Sequence, residues 1–155
     1  MRVEIPGCGL LEIAHLVLDY NGTIALDGEL LDGVGKRLEI LSRKLDIHVL
    51  TADTFGSVAA KTAGLPFSLA VLPPGNQDQA KLDCVNRLGP AGTACIGNGR
   101  NDALMLRESA LGIAVIGQEG AAGAALTAAD VIVTHVQDGL DLLLNPLRLA
   151  ATLRV

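Results

Sequence analysis

An aspartate closes the apolar run Leu16-Val17-Leu18, and the polar string Asp19-Tyr20-Asn21-Gly22-Thr23 follows from it directly. A second string, Gly97-Asn98-Gly99-Arg100-Asn101-Asp102, follows a second apolar run that ends at Ile96. Thr51 stands at the tip of a third such run, and Lys81 falls in the first turns of an expected helix. A carboxylate held at a strand end can attack phosphorus and form an acyl phosphate, which splits one slow transfer into two easier steps. The reaction needs a hydroxyl and a cation on the phosphoryl oxygens, and usually a magnesium ion carried by one or two carboxylates. Asp19, Thr51, Lys81 and Asp102 are the right chemical types for those parts.

The elements that must position them are legible as alternating strands and helices. Val3 to Ile5, a turn at Pro6 to Gly9, and Leu10 to Ile13 read as a hairpin leading into the run that ends at Asp19. Thr23 to Leu26 and Glu29 to Leu31 flank Asp27-Gly28, a dipeptide suited to a two-residue hairpin turn, which predicts a small flap beside Asp19. Val34, Leu38, Leu41 and Leu45 recur at helical spacing and predict a helix from Val34 to Leu45. Strands follow at Ile47 to Thr51, Leu69 to Leu72, Thr93 to Ile96, Ile113 to Ile116 and Val131 to Val133. Helices are expected near Ser57 to Ala63, from Asn76 to Leu88, from Asp102 to Ser109, in the Ala-rich stretch from Ala121 to Ala129, and from Asn145 onward. Apolar strands alternating with helices imply an α/β fold with a mainly parallel sheet covered on both faces, and such sheets carry their sites beyond the strand C-termini. The tail residues Leu147, Leu149, Leu153 and Val155 are expected to dock on the core or on a second copy of the chain.

Composition narrows the class. The 155 residues are 50% hydrophobic and 19% charged, the range of a folded chain and the size of one domain, residues 1 to 155. Aromatics are 2% of the chain and the net charge is −5, which argues against nucleic-acid partners. No apolar stretch approaches a membrane span and the N-terminal residues lack a secretory core, so a cytoplasmic protein without a membrane partner is expected. Cys8, Cys84 and Cys95 lack metal-binding spacing and read as reduced thiols, with Cys8 the most exposed. His15, His48 and His135 read as structural rather than as ligands.

The four motifs, in order LDYNGT at 18 to 23, VLTAD at 49 to 53, Lys81, and IGNGRNDALML at 96 to 106, resemble the haloacid dehalogenase-like (HAD) superfamily of phosphotransferases. Within it they are similar to the phosphorylation domain of P-type ATPases. The segment LGIAVIGQEGAAGAALTAADVIV at 111 to 133 looks like the one that follows the last motif in copper-type pumps. The resemblance implies a three-layer Rossmann-like fold and Asp19 as nucleophile, with Asn21, Thr51 and Lys81 completing the catalytic set. Gly22, Thr23, Ala52 and Asn101 would contact substrate, and Asp19, Asn21, Asn98 and Asp102 would place Mg2+. The gaps between motifs leave room for neither a pump's nucleotide domain nor a cap, so a large phosphorylated substrate, small molecule or protein, or an oligomer, is expected to cover the site.

Two departures qualify the expected activity. The family's phosphatases carry an acid two residues after the nucleophile, where this chain has Asn21, and general acid-base help is worth about 10²- to 10⁴-fold. Asn98 stands where the family's acidic loop supplies a carboxylate to magnesium. Asp19, Asp102 and Lys81 then give a formal site charge of −1, whereas aspartates at both Asn positions would give −3. The expected enzyme is therefore a sluggish, magnesium-assisted phosphatase or phosphotransferase. Alternatives are a phospho-ligand or partner-binding regulatory domain and, behind it, a metal-free dehalogenase. Each motif also has a local structural reading: an Asx turn at Asp19 to Gly22, a strand end at Thr51, a helix cap at Asp53 and another at Asp102, a solvated helix lysine at Lys81. Their order along the chain is what promotes them.

Overall fold

Leu16, Val17 and Leu18 have no exposed surface, as a strand buried on both faces requires. In the computed structural model, which describes residues 1–52 and 57–155, they belong to β3 (His15–Asp19), near the middle of a six-stranded sheet. Its other strands are β6 (Asp46–Thr51), β7 (Ser68–Val71), β8 (Thr93–Gly97), β9 (Leu111–Val115) and β10 (Val131–Val133). The order is β10-β9-β8-β3-β6-β7, and every pairing is parallel. The chain runs outward from β3 through β6 to β7, then crosses back and runs outward from β8 on the other side. The order therefore reverses between β3 and β8, which opens a crevice at their C-terminal tips.

Period-two alternation divides the core. Leu16, Leu18, Ile47, Val49, Ile96 and Ile113 face one way, onto Val34, Leu38 and Leu41 of α1 (Val34–Leu41) and Val136, Leu140 and Leu143 of α6 (Val136–Leu144). Val17, Leu50, Cys95 and Ala114 face the other way, onto α3 (Gln77–Leu88), α4 (Ala103–Glu108) and α5 (Gly123–Ala128). This is the three-layer α/β fold expected from the sequence.

The hairpin of β1 (Arg2–Ile5) and β2 (Gly9–Glu12) and the flap of β4 (Ala25–Leu26) and β5 (Glu29–Leu30) form as expected. Asp27 and Gly28 both take positive φ, 51° and 78°, so the flap turns in two residues. Tyr20 is fully buried and donates to the Gly28 carbonyl at 3.1 Å, which anchors the flap beside Asp19.

Several element limits differ from the periodicity by a few residues, and one helix was not expected. α1 stops at Leu41, and hydrogen-bonded turns carry the chain on, so that Leu45 still reaches the core. α2 is Ser57–Lys61, while Asp53 lies outside the described residues. The helix α6 has no counterpart in the sequence expectation, because its apolar stripe is short and Gly139 lies within it. In α7 (Pro146–Leu153) Leu149 is buried whereas Leu147 is 85% exposed, so the tail docks through one face only. Among the described residues no helix is long and apolar enough to cross a membrane.

Candidate active site

Asp19 and Asn98 stand at the tips of the two strands that flank the order reversal, and Thr51 closes β6 on the far side of β3. Lys81, in the second turn of α3, is 1% exposed and joins two carboxylates: Nζ donates to Asp19 Oδ1 and to Asp102 Oδ1, each at 2.6 Å. Charge-assisted bonds this short hold both acids in fixed rotamers. Asp102 Oδ2 accepts the N–H groups of Asn98 at 3.0 Å and Gly99 at 2.8 Å, so this acid ties its own loop and makes no side-chain bond to the start of α4. The approach demands glycine at 97, where a Cβ would come within 2.5 Å of Asp102 Cγ.

Thr23 Oγ1 reaches Asp19 Oδ2 at 3.0 Å and Asn98 Oδ1 at 3.3 Å, and so bridges the two strand tips. Asn98 Nδ2 donates to the Gly120 carbonyl at 3.2 Å; a carbonyl only accepts, which fixes the amide's orientation. The structure thus brings Asp19, Thr23, Lys81, Asn98 and Asp102 into one bonded array, with Thr51 buried beside it. Asn21 and Ala52 are exposed at its rim. Gly22, at φ 77°, lets the chain turn over the array. Asn101 points elsewhere: its amide donates to Gln77 Oε1 at 3.2 Å and lines a separate open depression.

Burial, and after it the charge of Asp102, pushes the Asp19 carboxyl up to about 6, although Lys81 and Thr23 pull it down. Burial also works against the Lys81 ammonium, but Asp19 and Asp102 outweigh it and hold the lysine above its ordinary range. Lys81 is therefore cationic whenever Asp19 is ionised. One cation between two buried carboxylates leaves a net negative centre with room for more positive charge.

Gly22 and Thr23 also line a cleft of about 270 Å³ shared with Val115, Glu119, Thr134 and His135. Glu119 was not among the residues singled out from the sequence. The available signal was position alone, since the Gly117 to Gly120 turn follows the tip of β9 and strand tips are where such sheets work. Among the described residues no three His, Cys, Asp or Glu side chains gather as a ready metal cluster. The oxygens that face one point, Thr23 Oγ1, are Asp19 Oδ2 and Asn98 Oδ1. They are hard donors of the kind magnesium takes, sparse enough to leave most of its shell to water.

No family model matches the chain. Two uncharacterized proteins of Methanocaldococcus jannaschii are similar to it. One is 52% identical over 59 residues, 38% of this chain, and the match spans 63% of that protein's length. The other is 51% identical over 39 residues, 25% of this chain and 89% of that protein. Among solved structures, the 3-deoxy-D-manno-octulosonate 8-phosphate phosphatase of Moraxella catarrhalis, crystallised with magnesium, phosphate and the sugar acid, aligns with a TM-score of 0.68. It does so at 19% identity over 85% of this chain and 86% of that one. A zinc-transporting PIB-type ATPase aligns with a TM-score of 0.59 at 28% identity, over 79% of this chain and 20% of the pump. The architecture is thus the HAD fold, with the β4–β5 flap beside Asp19. The chain belongs to the family of the second of these Methanocaldococcus proteins and has the HAD fold.

Proposed function

We propose that the chain is a magnesium-assisted phosphatase or phosphotransferase that works through an aspartyl phosphate on Asp19. The observation that carries this reading is the buried Asp19–Lys81–Asp102 array at the order reversal of the sheet. Asp19 Oδ2, the oxygen not bonded to Lys81, attacks phosphorus, the bond to the leaving oxygen breaks, and water later attacks the acyl phosphate to release inorganic phosphate and regenerate the carboxylate. Lys81, already directed at the nucleophile, has a third proton for a phosphoryl oxygen, and Thr51 offers a hydroxyl from the adjacent strand. Asp19, Asn98 and the Asn21 carbonyl would hold Mg2+, with Asp102, whose oxygens are taken by Lys81 and its own loop, adding negative charge behind them; when bound, the ion would supply positive charge against the phosphoryl oxygens. That a neighbour of this fold is a phosphatase crystallised with magnesium and phosphate supports the reading of a magnesium-assisted phosphatase.

Asn21 is exposed at the rim and its amide can neither give the leaving oxygen a proton nor take one from the attacking water. Leaving groups that need no proton, such as the carboxylate of an acyl phosphate, are therefore favoured, and the phosphoenzyme is long-lived. Intact mass after incubation with magnesium and acetyl phosphate tests this, with Asp19→Ala as control and acetyl phosphate consumption followed in the same tube. A single phosphoryl adduct that requires Asp19 and persists is expected. Absence of both adduct and consumption would overturn the reading in favour of a phospho-ligand-binding domain.

A further inference from the structure

Asn98 holds a neighbouring loop by two contacts. Its Nδ2 donates to the Gly120 carbonyl at 3.2 Å, and its own carbonyl accepts from Ala122 N at 2.8 Å. Between the strand tip and these two anchors lies the turn Gly117-Gln118-Glu119-Gly120, bracketed by glycines at φ 52° and 75°. The turn folds over the nucleophile segment: a Cβ on Gly117 would stand 3.3 Å from the Gly22 carbonyl oxygen. A Cβ on Gly22 would meet Asn98 Nδ2 at 2.5 Å and Glu119 Oε2 at 2.7 Å, so the missing side chain leaves a gap between that amide and that carboxylate. Glu119 is exposed, with its carboxylate at the mouth of the array and free of ion pairs among the described residues.

An aspartate at 98 would turn a carboxylate oxygen toward the Gly120 carbonyl and the Glu119 charge, where neither neighbour donates a proton. Asn98 and Glu119 are thus fitted to one another. The cleft keeps one acidic charge on this side, carried by the loop and not by the strand tip. We propose, on the basis of the function given above, that Glu119 supplies the divalent cation of this site with the carboxylate charge that residue 98 does not carry. It would act through water on the cation, since among the described residues no three carboxylates converge closely enough to ligate together. Asn98 then has a second role beside its Oδ1 at the cation site: through Nδ2 and its backbone carbonyl it holds the Glu119 loop over Gly22.

The test is Mn2+ affinity, read as the loss of the free-ion electron paramagnetic resonance signal, with and without beryllofluoride. Glu119→Gln sits at an exposed position and needs no repacking. Affinity is expected to fall roughly 5- to 20-fold, the effect of one unit charge across a partly hydrated gap, and the difference should shrink with added salt. Adding Asn98→Asp to Glu119→Gln is expected to restore affinity to within about threefold of the wild type, because the same charge returns at the strand tip. Equal affinity of wild type and Glu119→Gln would overturn the role of Glu119 and leave the proposed function standing. A loss that Asn98→Asp does not repair would overturn the exchange of charge between the two positions. A wild-type chain that binds no Mn2+ under either condition would overturn the proposed function and this inference with it.

Discussion

Asp19 is held at a cost to stability, and pH exposes that cost. Burial and the Asp102 charge raise its carboxyl from 3.8 to about 6, so the folded chain keeps a proton that the unfolded chain gives up. Stability contributed by the protonated form is fully present below about pH 4 and is lost as pH rises through about 6. Above that, ionised Asp19 weakens the fold by an amount on the order of 1 to 3 kcal/mol. Asp19→Asn removes the second carboxylate and leaves Lys81 paired with Asp102 alone. The variant is expected to be more stable than the wild type at pH 8 by about that amount, with the gap closing near pH 4. Urea unfolding at the two pH values checks this; a less stable variant at pH 8 would mean that the Lys81 attraction outweighs burial and repulsion. At this scale the array was legible because Asp19, Lys81 and Asp102 follow apolar runs and a helix start in a recognisable order. Glu119 was not, since its place depends on two positive-φ glycines and on the Asn98 clamp, none of which the one-dimensional string displays. Nor did the string show that the Asn101 amide turns to Gln77.

Strands declare themselves in this chain because a sheet covered on both faces needs unbroken apolar runs, and Leu16 to Leu18, Val49 to Leu50 and Ala94 to Ile96 are such runs. Helix α6 did not, because its stripe is only three residues deep, Val136, Leu140 and Leu143, and Gly139 lies within it. Gly139 faces Ile113, Val133 and Ile96, with an added Cβ at 3.4 to 3.7 Å, so it seats the helix close on the sheet. The same helix is tied to α1 by Arg37, whose Nε and Nη2 each reach a different Asp141 oxygen at 2.9 Å. Packing should dominate over that half-exposed pair. Leu140→Ala, at a position with no exposed surface, is expected to cost about 2 to 4 kcal/mol. Leu147→Ala, on the open face of α7, should stay within about 0.5 kcal/mol of wild type. Urea midpoints at unchanged slope measure both, and comparable losses at the two sites would show that the outer face of α7 is covered by a second copy.

The whole molecule presents its site at one end of the sheet, with the flap and the Gly117 to Gly120 turn on its rim. Lys81 already compensates half of the two-carboxylate charge, so a divalent cation arriving alone gains less here than at a site of net charge −3. A phosphoryl group would change the balance by adding negative oxygens, so that a bound cation would meet more negative charge than the array alone supplies. Binding of the two should therefore be mutually reinforcing, and whatever binds only the folded state raises its melting temperature by mass action. Magnesium alone is expected to move the melting temperature by about 1 °C or less. Magnesium with beryllofluoride, which caps an aspartate as a phosphoryl group would, should raise it by about 4 to 10 °C, given roughly 2 to 4 °C per kcal/mol in a chain of this size. Asp19→Ala removes the atom that beryllofluoride must join and should show neither shift. An equal rise with magnesium alone would mean that the cation site is complete before any phosphoryl group arrives, and that the charge of Glu119 and the two aspartates already suffices to hold the metal.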